Sequence, residues 1–381
     1  MKIHVNTMAT QVLMVVIFLT NITQMPQLIR FGANSLITLV GWGCAVVYIL
    51  GSNKICINKL NFKAAIYALF FFIIAISLQV ITKENYVNTS LSYPFMLSVF
   101  VFLVGSLYAN KLEFINISSL YISYIVSGLI VAGAVYLDSF AAGYNWMSRG
   151  YAYASKNSVA QIILTVFILL AFTKVSKKIW LIVRIVLMTA LVLLLAMLKS
   201  RASIVGLMVI VLFILFNNQI KRKYKVLTIV IVTIFIWVVC TNQQLYEIVV
   251  NGIILAGRSA TNLNDISSGR YDMIGEFWNM FIQQPLIGYG SYYLESFPLS
   301  VLVQYGIFGS IPILLFICLP FRILKKIHGI ETRKIVIILL ICYYINGLFE
   351  ELAPLGPGVK CYFLWFLLGL ETKERELLRK V

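Results

Sequence analysis

Long apolar runs, each near the thickness of a lipid bilayer, follow one another along almost the whole chain, and the charged residues fall in the gaps between them. A helix needs about 20 mostly apolar residues to cross the hydrocarbon core. Runs near that length lie at 9–29, 33–51, 64–81, 91–109, 118–137, 158–173, 179–198, 202–217, 226–241, 299–319, 335–352 and 356–370. Only 12% of the 381 residues are charged and mean hydropathy is +0.92, whereas a soluble domain carries roughly a quarter charged residues. Backbone groups in lipid must pair within their own segment, and the alternation of barrel strands is absent, so the spans are helices. The expected fold is all-α, a polytopic integral membrane protein of about twelve transmembrane helices. Residues 1–381 read as a single transmembrane domain without a soluble domain or internal repeat.

Lys and Arg orient the spans, because cytoplasmic loops carry an excess of both. With a cytoplasmic N-terminus and alternating sides, the outer face keeps only Arg30, Lys83, Arg149, Lys156, Lys199, Arg201, Arg258, Arg270 and Lys360. Outer carboxylates balance these, so the whole net charge of +17 falls inside. That charge is a topology signal and gives no reason to expect a nucleic-acid partner. A multi-pass protein with both termini cytoplasmic is expected, with membrane lipids as its surroundings. The first run follows a single Lys and lacks a small-residue cleavage pattern, so no cleavable signal is expected. The six cysteines lie mostly within spans and suggest neither a disulfide nor a metal site.

Two outer loops are long, at about 138–157 and about 242–298, and a long loop in a compact protein is a candidate for function. Within the second, residues 269–284 predict an amphipathic helix. Ile274, Phe277, Trp278, Phe281 and Ile282 recur as one apolar stripe, with Asp272, Glu276, Asn279 and Gln283 opposite. Ser267 or Ser268 is placed to cap it, and Gln284-Pro285 to close it. Such a helix either lies on the bilayer surface or frames a site just above it.

Lys199 and Arg201 stand where two apolar helices meet with almost no loop between them. A cation at the centre of a spanning helix costs about 2.5–3.5 kcal/mol and less near its end. Snorkelling to the boundary is one reading; the other is a site, since Arg149, Arg258 and Arg270 add guanidiniums on the same side. Arginine suits bidentate grip on phosphate, so the cluster suggests a lipid-linked phosphate or diphosphate. His4 and His328 are both expected inside, which leaves outer acid–base work to carboxylates or tyrosines. Asp272, Glu276, Glu295, Glu350 and Glu351 are the candidates. No cofactor is implied, and a metal is disfavoured, although a carboxylate-only Mg site leaves a weak signature. The aromatic groups Tyr144, Trp146, Tyr151, Tyr153 and Tyr289, Tyr292, Tyr293 read as an interfacial belt or as platforms for sugar rings.

Three segments together resemble the bacterial O-antigen polymerases (Wzy-type) and the related O-antigen ligases. Lys199-Ser200-Arg201-Ala202-Ser203 opens a span like the family's Ser-Arg-small signature. Ser268-Gly269-Arg270, Trp278 and Gln284-Pro285-Leu286-Ile287-Gly288-Tyr289-Gly290 resemble its Ser-Gly-Arg, Trp and Pro-Leu-x-Gly-x-Gly run. Gln304-Tyr305-Gly306-Ile307-Phe308-Gly309 resembles its Gly-x-x-Gly start of the next span, and Lys156-Asn157 is a fainter echo. Ligases carry a His-Asn pair shortly before that Gly-x-x-Gly; here Glu295-Ser296 stand in its place, and Gln304 replaces a usual Glu. That departure favours a polymerase over a ligase.

The resemblance implies glycosyl transfer on the periplasmic face of the bacterial inner membrane. Donor and acceptor would be glycans on undecaprenyl diphosphate, and a chain-length regulator and a flippase of the same pathway are the implied partners. Arg201 and Arg270 would hold the leaving diphosphate and stabilise its charge. Lys199, Arg149 and Arg258 would join them in binding, and Glu295, or else Asp272, Glu276 or Glu350, would orient or deprotonate the acceptor hydroxyl. A ligase and a flippase or other transporter remain the rival readings. The sparsely charged spans and unequal loops speak against transport.

Overall fold

The computed structural model describes residues 2–51, 59–111, 115–148, 153, 155–174, 178–218, 220–258, 262, 264, 267, 269–327, 329–355 and 361–372. Arg149, Tyr151, Ser268, His328 and Lys360, discussed above, lie outside the described residues. All regular structure among the described residues is helical. In chain order the helices are α1 (Lys2–Ile22), α2 (Pro26–Arg30), α3 (Asn34–Gly51), α4 (Lys59–Thr82), α5 (Ser92–Lys111), α6 (Ile117–Ser139), α7 (Lys156–Phe172) and α8 (Lys178–Met197). There follow α9 (Arg201–Phe216), α10 (Arg222–Thr241), α11 (Gln243–Tyr246) and a π-helical segment, Glu247–Ile254. The remainder are α12 (Arg270–Gln283), α13 (Phe297–Ile317), α14 (Leu319–Leu324), α15 (Ile330–Gly347) and α16 (Tyr362–Leu370).

Each apolar run of the sequence thus overlaps a helix, but among the described residues only seven helical stretches are long and apolar enough to cross a membrane. These are α3, α4, α5, α6, α8, α10 and the Phe297–Leu324 stretch that joins α13 to α14. The apolar part of α1, α7 and α9 are shorter, α15 carries Glu331, Arg333 and Lys334 near its start, and α16 has 9 residues. Burial gives the physical reason. The short helices α7 and α16 sit in the interior, where protein neighbours rather than lipid surround them, and α16 is buried at every position. A helix packed in protein need not match the bilayer in length.

The core forms around α7, which packs on α6, α8, α9 and α15. Close approach depends on small residues. Gly105 of α5 and Gly369 of α16 face each other, and a Cβ on either would collide with the other helix's backbone. This is how membrane helices gain packing without a hydrophobic driving force between them. In contrast α10 buries only Val239 and exposes a continuous apolar surface.

Contacts between loops join positions that the alternation of spans puts at one end of the bundle. Arg30 pairs with Asp138 at 2.9 Å, Ser90 donates to Glu351 at 2.6 Å, and Tyr86 donates to the Gly288 carbonyl at 2.7 Å.

At that end α13 is broken. Gly306 adopts φ 58°, ψ −168° inside it, and the segment 285–290 lies in the gap. The Tyr289 and Gly290 amides donate to Val303 and Gln304 carbonyls, each at 2.8 Å, and the Ile307 amide donates to Pro285 at 2.9 Å. Side chains are excluded on both strands of this clasp. A Cβ on Gly288 would come within 2.6 Å of the Gly306 nitrogen, and one on Gly306 would collide with the Leu286 carbonyl. Both glycines also have positive φ, which an L side chain rarely adopts.

Candidate functional site

Beside the clasp lies a cavity of ≈ 960 Å³. Three of the helices that begin at its wall have a basic first residue: Lys156 of α7, Arg201 of α9 and Arg270 of α12. The N-terminal end of a helix already carries partial positive charge, so a cation there is worth about 0.3–1 kcal/mol of destabilisation rather than gain. Three such ends meeting at one cavity make a strongly electropositive wall, suited to an anion.

Of the sequence candidates, Lys199, Arg201, Arg258, Arg270, Glu295 and Glu350 all line this cavity. Arg149 lies outside the described residues. Asp272 and Glu276 line a separate shallow groove on the other side of α12, with Tyr271 and Tyr292. There Asp272 accepts from Asn264 and Glu276 accepts from the Tyr292 hydroxyl, which holds that phenol above its ordinary pKa. The two families of carboxylates are therefore divided by a helix.

Arg270 is tethered on several sides. Its Nη1 donates to the Ser267 carbonyl and its Nη2 to the Phe349 carbonyl, each at 3.0 Å; Nη2 also lies 3.2 Å from the Glu295 carboxylate. The guanidinium sits 5.6 Å from the centre of the Phe349 ring, and its Nε is buried with no hydrogen-bond partner in the protein. Arg201 donates from Nη2 to the Leu255 carbonyl at 2.8 Å. Arg201 is thus aimed by a carbonyl oxygen, while Arg270 is held by two carbonyls and shares its charge with Glu295.

Lys199 is placed otherwise. It is 2% exposed, has φ 51°, and donates to the carbonyls of Trp146 and Ser148 at 2.8 and 2.6 Å. Its ammonium also lies 5.5 Å from the centre of the Tyr144 ring. Tyr144 and Tyr153 also bond to backbone, Tyr144 donating to the Met197 carbonyl at 2.7 Å and Tyr153 to the Gln24 carbonyl at 3.2 Å.

A polar chain runs beside these basic helix starts. Ser200, at the cap of α9, donates to Asn157 Oδ1 at 3.4 Å, and Asn157 Nδ2 donates to Glu350. Glu351, next in sequence, turns away into the protein, where it is 4% exposed and accepts from Ser90 and from Gln304 Nε2, the latter at 2.8 Å. Tyr293 lines the cavity too; desolvation, then the carboxylates of Glu295, Glu351 and Glu350, push its phenol up to about 12 against the pull of Arg270. It stays a neutral donor at ordinary pH.

The remaining wall is apolar. Ile204, Val205 and Met208 of α9 face Ile274 and Trp278 of α12 across it. The amphipathic helix spans Arg270–Gln283, but its stripe is divided. Phe277 and Met273 are buried against Leu294 and Val303, while Ile274, Trp278 and Ile282 are 49, 53 and 70% exposed. The helix start is also set differently: Gly269 occupies the cap position at φ 83°, and Ser267 Oγ accepts from the Tyr271 amide at 3.2 Å.

The sequence offers Tyr293 only as one of a group of outer aromatics, and it gives no sign of the carbonyls of Leu255 and Phe349 that hold the arginines. No side-chain pattern marks a carbonyl as a ligand, because its direction depends on how the backbone turns. No curated protein matches the chain. Residues 185–314 match the family model described as O-antigen ligase, a span that contains Arg201, Arg258, Arg270 and Glu295, while Lys156, Asn157 and Glu350 reach the cavity from outside it. With the motifs and the helical membrane fold, that match supports membership of the O-antigen polymerase and ligase family.

Proposed function

We propose that this protein is an O-antigen polymerase, which joins oligosaccharide repeat units carried on undecaprenyl diphosphate at the periplasmic face of the inner membrane. The observation that carries the reading is the amphipathic cavity: three basic helix starts on one side, carboxylates beside them, and an apolar wall of α9 and α12 side chains opposite. A diphosphate attached to a polyprenol has the same division of character.

In the proposed reaction an acceptor sugar hydroxyl attacks the anomeric carbon of the donor. The bond from that carbon to the diphosphate oxygen breaks, and the diphosphate leaves with the electron pair. Arg201 and Arg270 take up the charge that develops on it, in a site where fixed donors need no reorganisation. Lys156 and Arg258 add positive charge to the same wall. Glu295, paired with Arg270, orients the acceptor hydroxyl and receives its proton; Glu350 is the alternative. Glu295 stands where ligases carry a His, which favours polymerase over ligase.

The test is a deletion strain with the matching surface-glycan pathway, its lipopolysaccharide run on a gel with and without the gene restored. A lost ladder with core capped by one repeat unit is the expected result. Bare core with a ladder retained on the lipid carrier would make the protein a ligase. Bare core with single units accumulating on the carrier would make it a flippase.

A further inference from the structure

Lys199 lines the cavity, yet its charge is directed at the protein's own backbone. A lysine with positive φ is uncommon and costs stability, and a buried ammonium is tolerated only with partners. Here both costs are met at the same place, two residues before Arg201.

The Trp146 carbonyl that accepts from Lys199 is approached from a second direction. It lies against Gly252 in the π-helical segment, and a Cβ at Gly252 would sit 2.8 Å from that oxygen. The segment ends directly after, at Ile254, and the Leu255 carbonyl receives Arg201. The contacts therefore close a ring: Lys199 to Trp146, Trp146 to Gly252, three residues on to Leu255, Leu255 to Arg201, and two residues back to Lys199. Ala256 and Gly257 follow with φ 51° and 72°, and Gly257 donates back to the Asn251 carbonyl at 2.7 Å, which locks the end of the segment. Wide helical turns of this kind recur at functional sites.

We propose that Lys199 and Gly252 are positioning residues, which press the Trp146 carbonyl between them and so fix the Leu255 carbonyl that aims Arg201. Lys199 thereby serves the diphosphate site through Arg201. The inference rests on the reading of Arg201 as a leaving-group donor.

The experiment uses the full-length protein in proteoliposomes, with lipid-linked repeat units extracted from a strain lacking the polymerase. Turnover is measured for Lys199→Met, Lys199→Arg, Gly252→Ala and Arg201→Ala, and for Lys199→Met combined with Arg201→Ala. Expected are falls in kcat of the order of 10- to 100-fold for Lys199→Met and for Gly252→Ala, because a misplacement of about 1 Å has that effect, with KM little changed. Lys199→Arg, which can still donate to two carbonyls, should recover part of the loss. In the Arg201→Ala background Lys199→Met should add almost nothing, since coupled residues are not additive. Gly275→Ala, where a Cβ would meet open space, is the control and should behave as the native protein.

Additive losses, or a raised KM with unchanged kcat, would overturn the positioning role and return Lys199 to direct binding. Near-native kcat for Gly252→Ala in folded protein would also overturn it. Full activity of Arg201→Ala would instead sink the functional reading itself, whatever Lys199 does.

Discussion

The clasp at Gly306 and the cavity beside it both carry segments that resemble the same family, but they use their residues in opposite ways. In the clasp the motif residues are glycines, and what they contribute is the removal of side chains: Pro285–Gly290 meets Val303–Phe308 through backbone hydrogen bonds alone. Around the cavity the motif residues are arginines, aimed by backbone carbonyls, with Arg270 also paired to Glu295. The comparison teaches that one signature can combine architecture with chemistry. The clasp ties the break inside α13 to the segment that leads from α12 towards Tyr293 and Glu295.

Substitution should separate the two. The largest effect on activity is expected at the arginines. Arg201→Lys and Arg270→Lys keep the charge and lose the planar fork, and each should lower polymerisation by about 10²–10³ while the protein accumulates normally. Lipopolysaccharide ladders alongside membrane immunoblots would check this; full activity in both would remove the diphosphate clamp from the reading. Next come the glycines. Gly306→Ala puts a side chain at φ 58° against a carbonyl, a backbone cost of about 1–3 kcal/mol before the collision is counted. Folded protein in detergent, followed by size exclusion and thermal melting, should fall sharply. If Gly306→Ala folds normally and loses only activity, the division between scaffold and chemistry is wrong.

A smaller change is expected for Glu295→Gln. The pair with Arg270 is half exposed on the carboxylate side, so its loss should cost under about 1 kcal/mol of stability. Its proposed task of receiving the acceptor proton is worth about 10²-fold or more in such reactions. Turnover of purified protein should therefore fall without a shift in melting temperature, and unchanged turnover would pass the task to Glu350.

The helix positions were legible in the sequence because apolar runs and their caps are local. Residues 269–284 predict a helix, and Arg270–Gln283 form one. The gathering of Arg201, Arg258 and Arg270 was legible from charge on one side of the spans. Which face of α12 would turn inward was not. Phe277 packs with Leu294 and Val303 while its neighbour Trp278 stays exposed, and because both belong to one apolar stripe the pattern of residues cannot rank them. The role of Lys199 was hidden for another reason: its partners are carbonyls 51 and 53 residues away, and only the folded backbone brings them near. Run length alone does not decide the number of spans, because burial in protein, as for α7 and α16, relaxes the need to match a bilayer.

The smallest effects are expected at Asp272 and Glu276, the two acid–base candidates that line the groove across α12 from the cavity. Asp272 and Glu276 line the shallow groove with Tyr271 and Tyr292, and α12 itself, through Met273 and Phe277, stands between them and the cavity. For either carboxylate to face an acceptor at Arg270 directly the helix would have to turn, which would uncover Phe277, now 4% exposed. Asp272→Asn and Glu276→Gln keep the shapes and hydrogen-bonding capacity that Asn264 and the Tyr292 hydroxyl need. Changes at such surface positions usually stay within about 0.5 kcal/mol, so turnover of both variants should remain within about twofold of native by the same 0.5 kcal/mol measure. A tenfold loss in either, with melting unchanged, would mean that the groove takes part in the reaction and that the cavity is only half of the site.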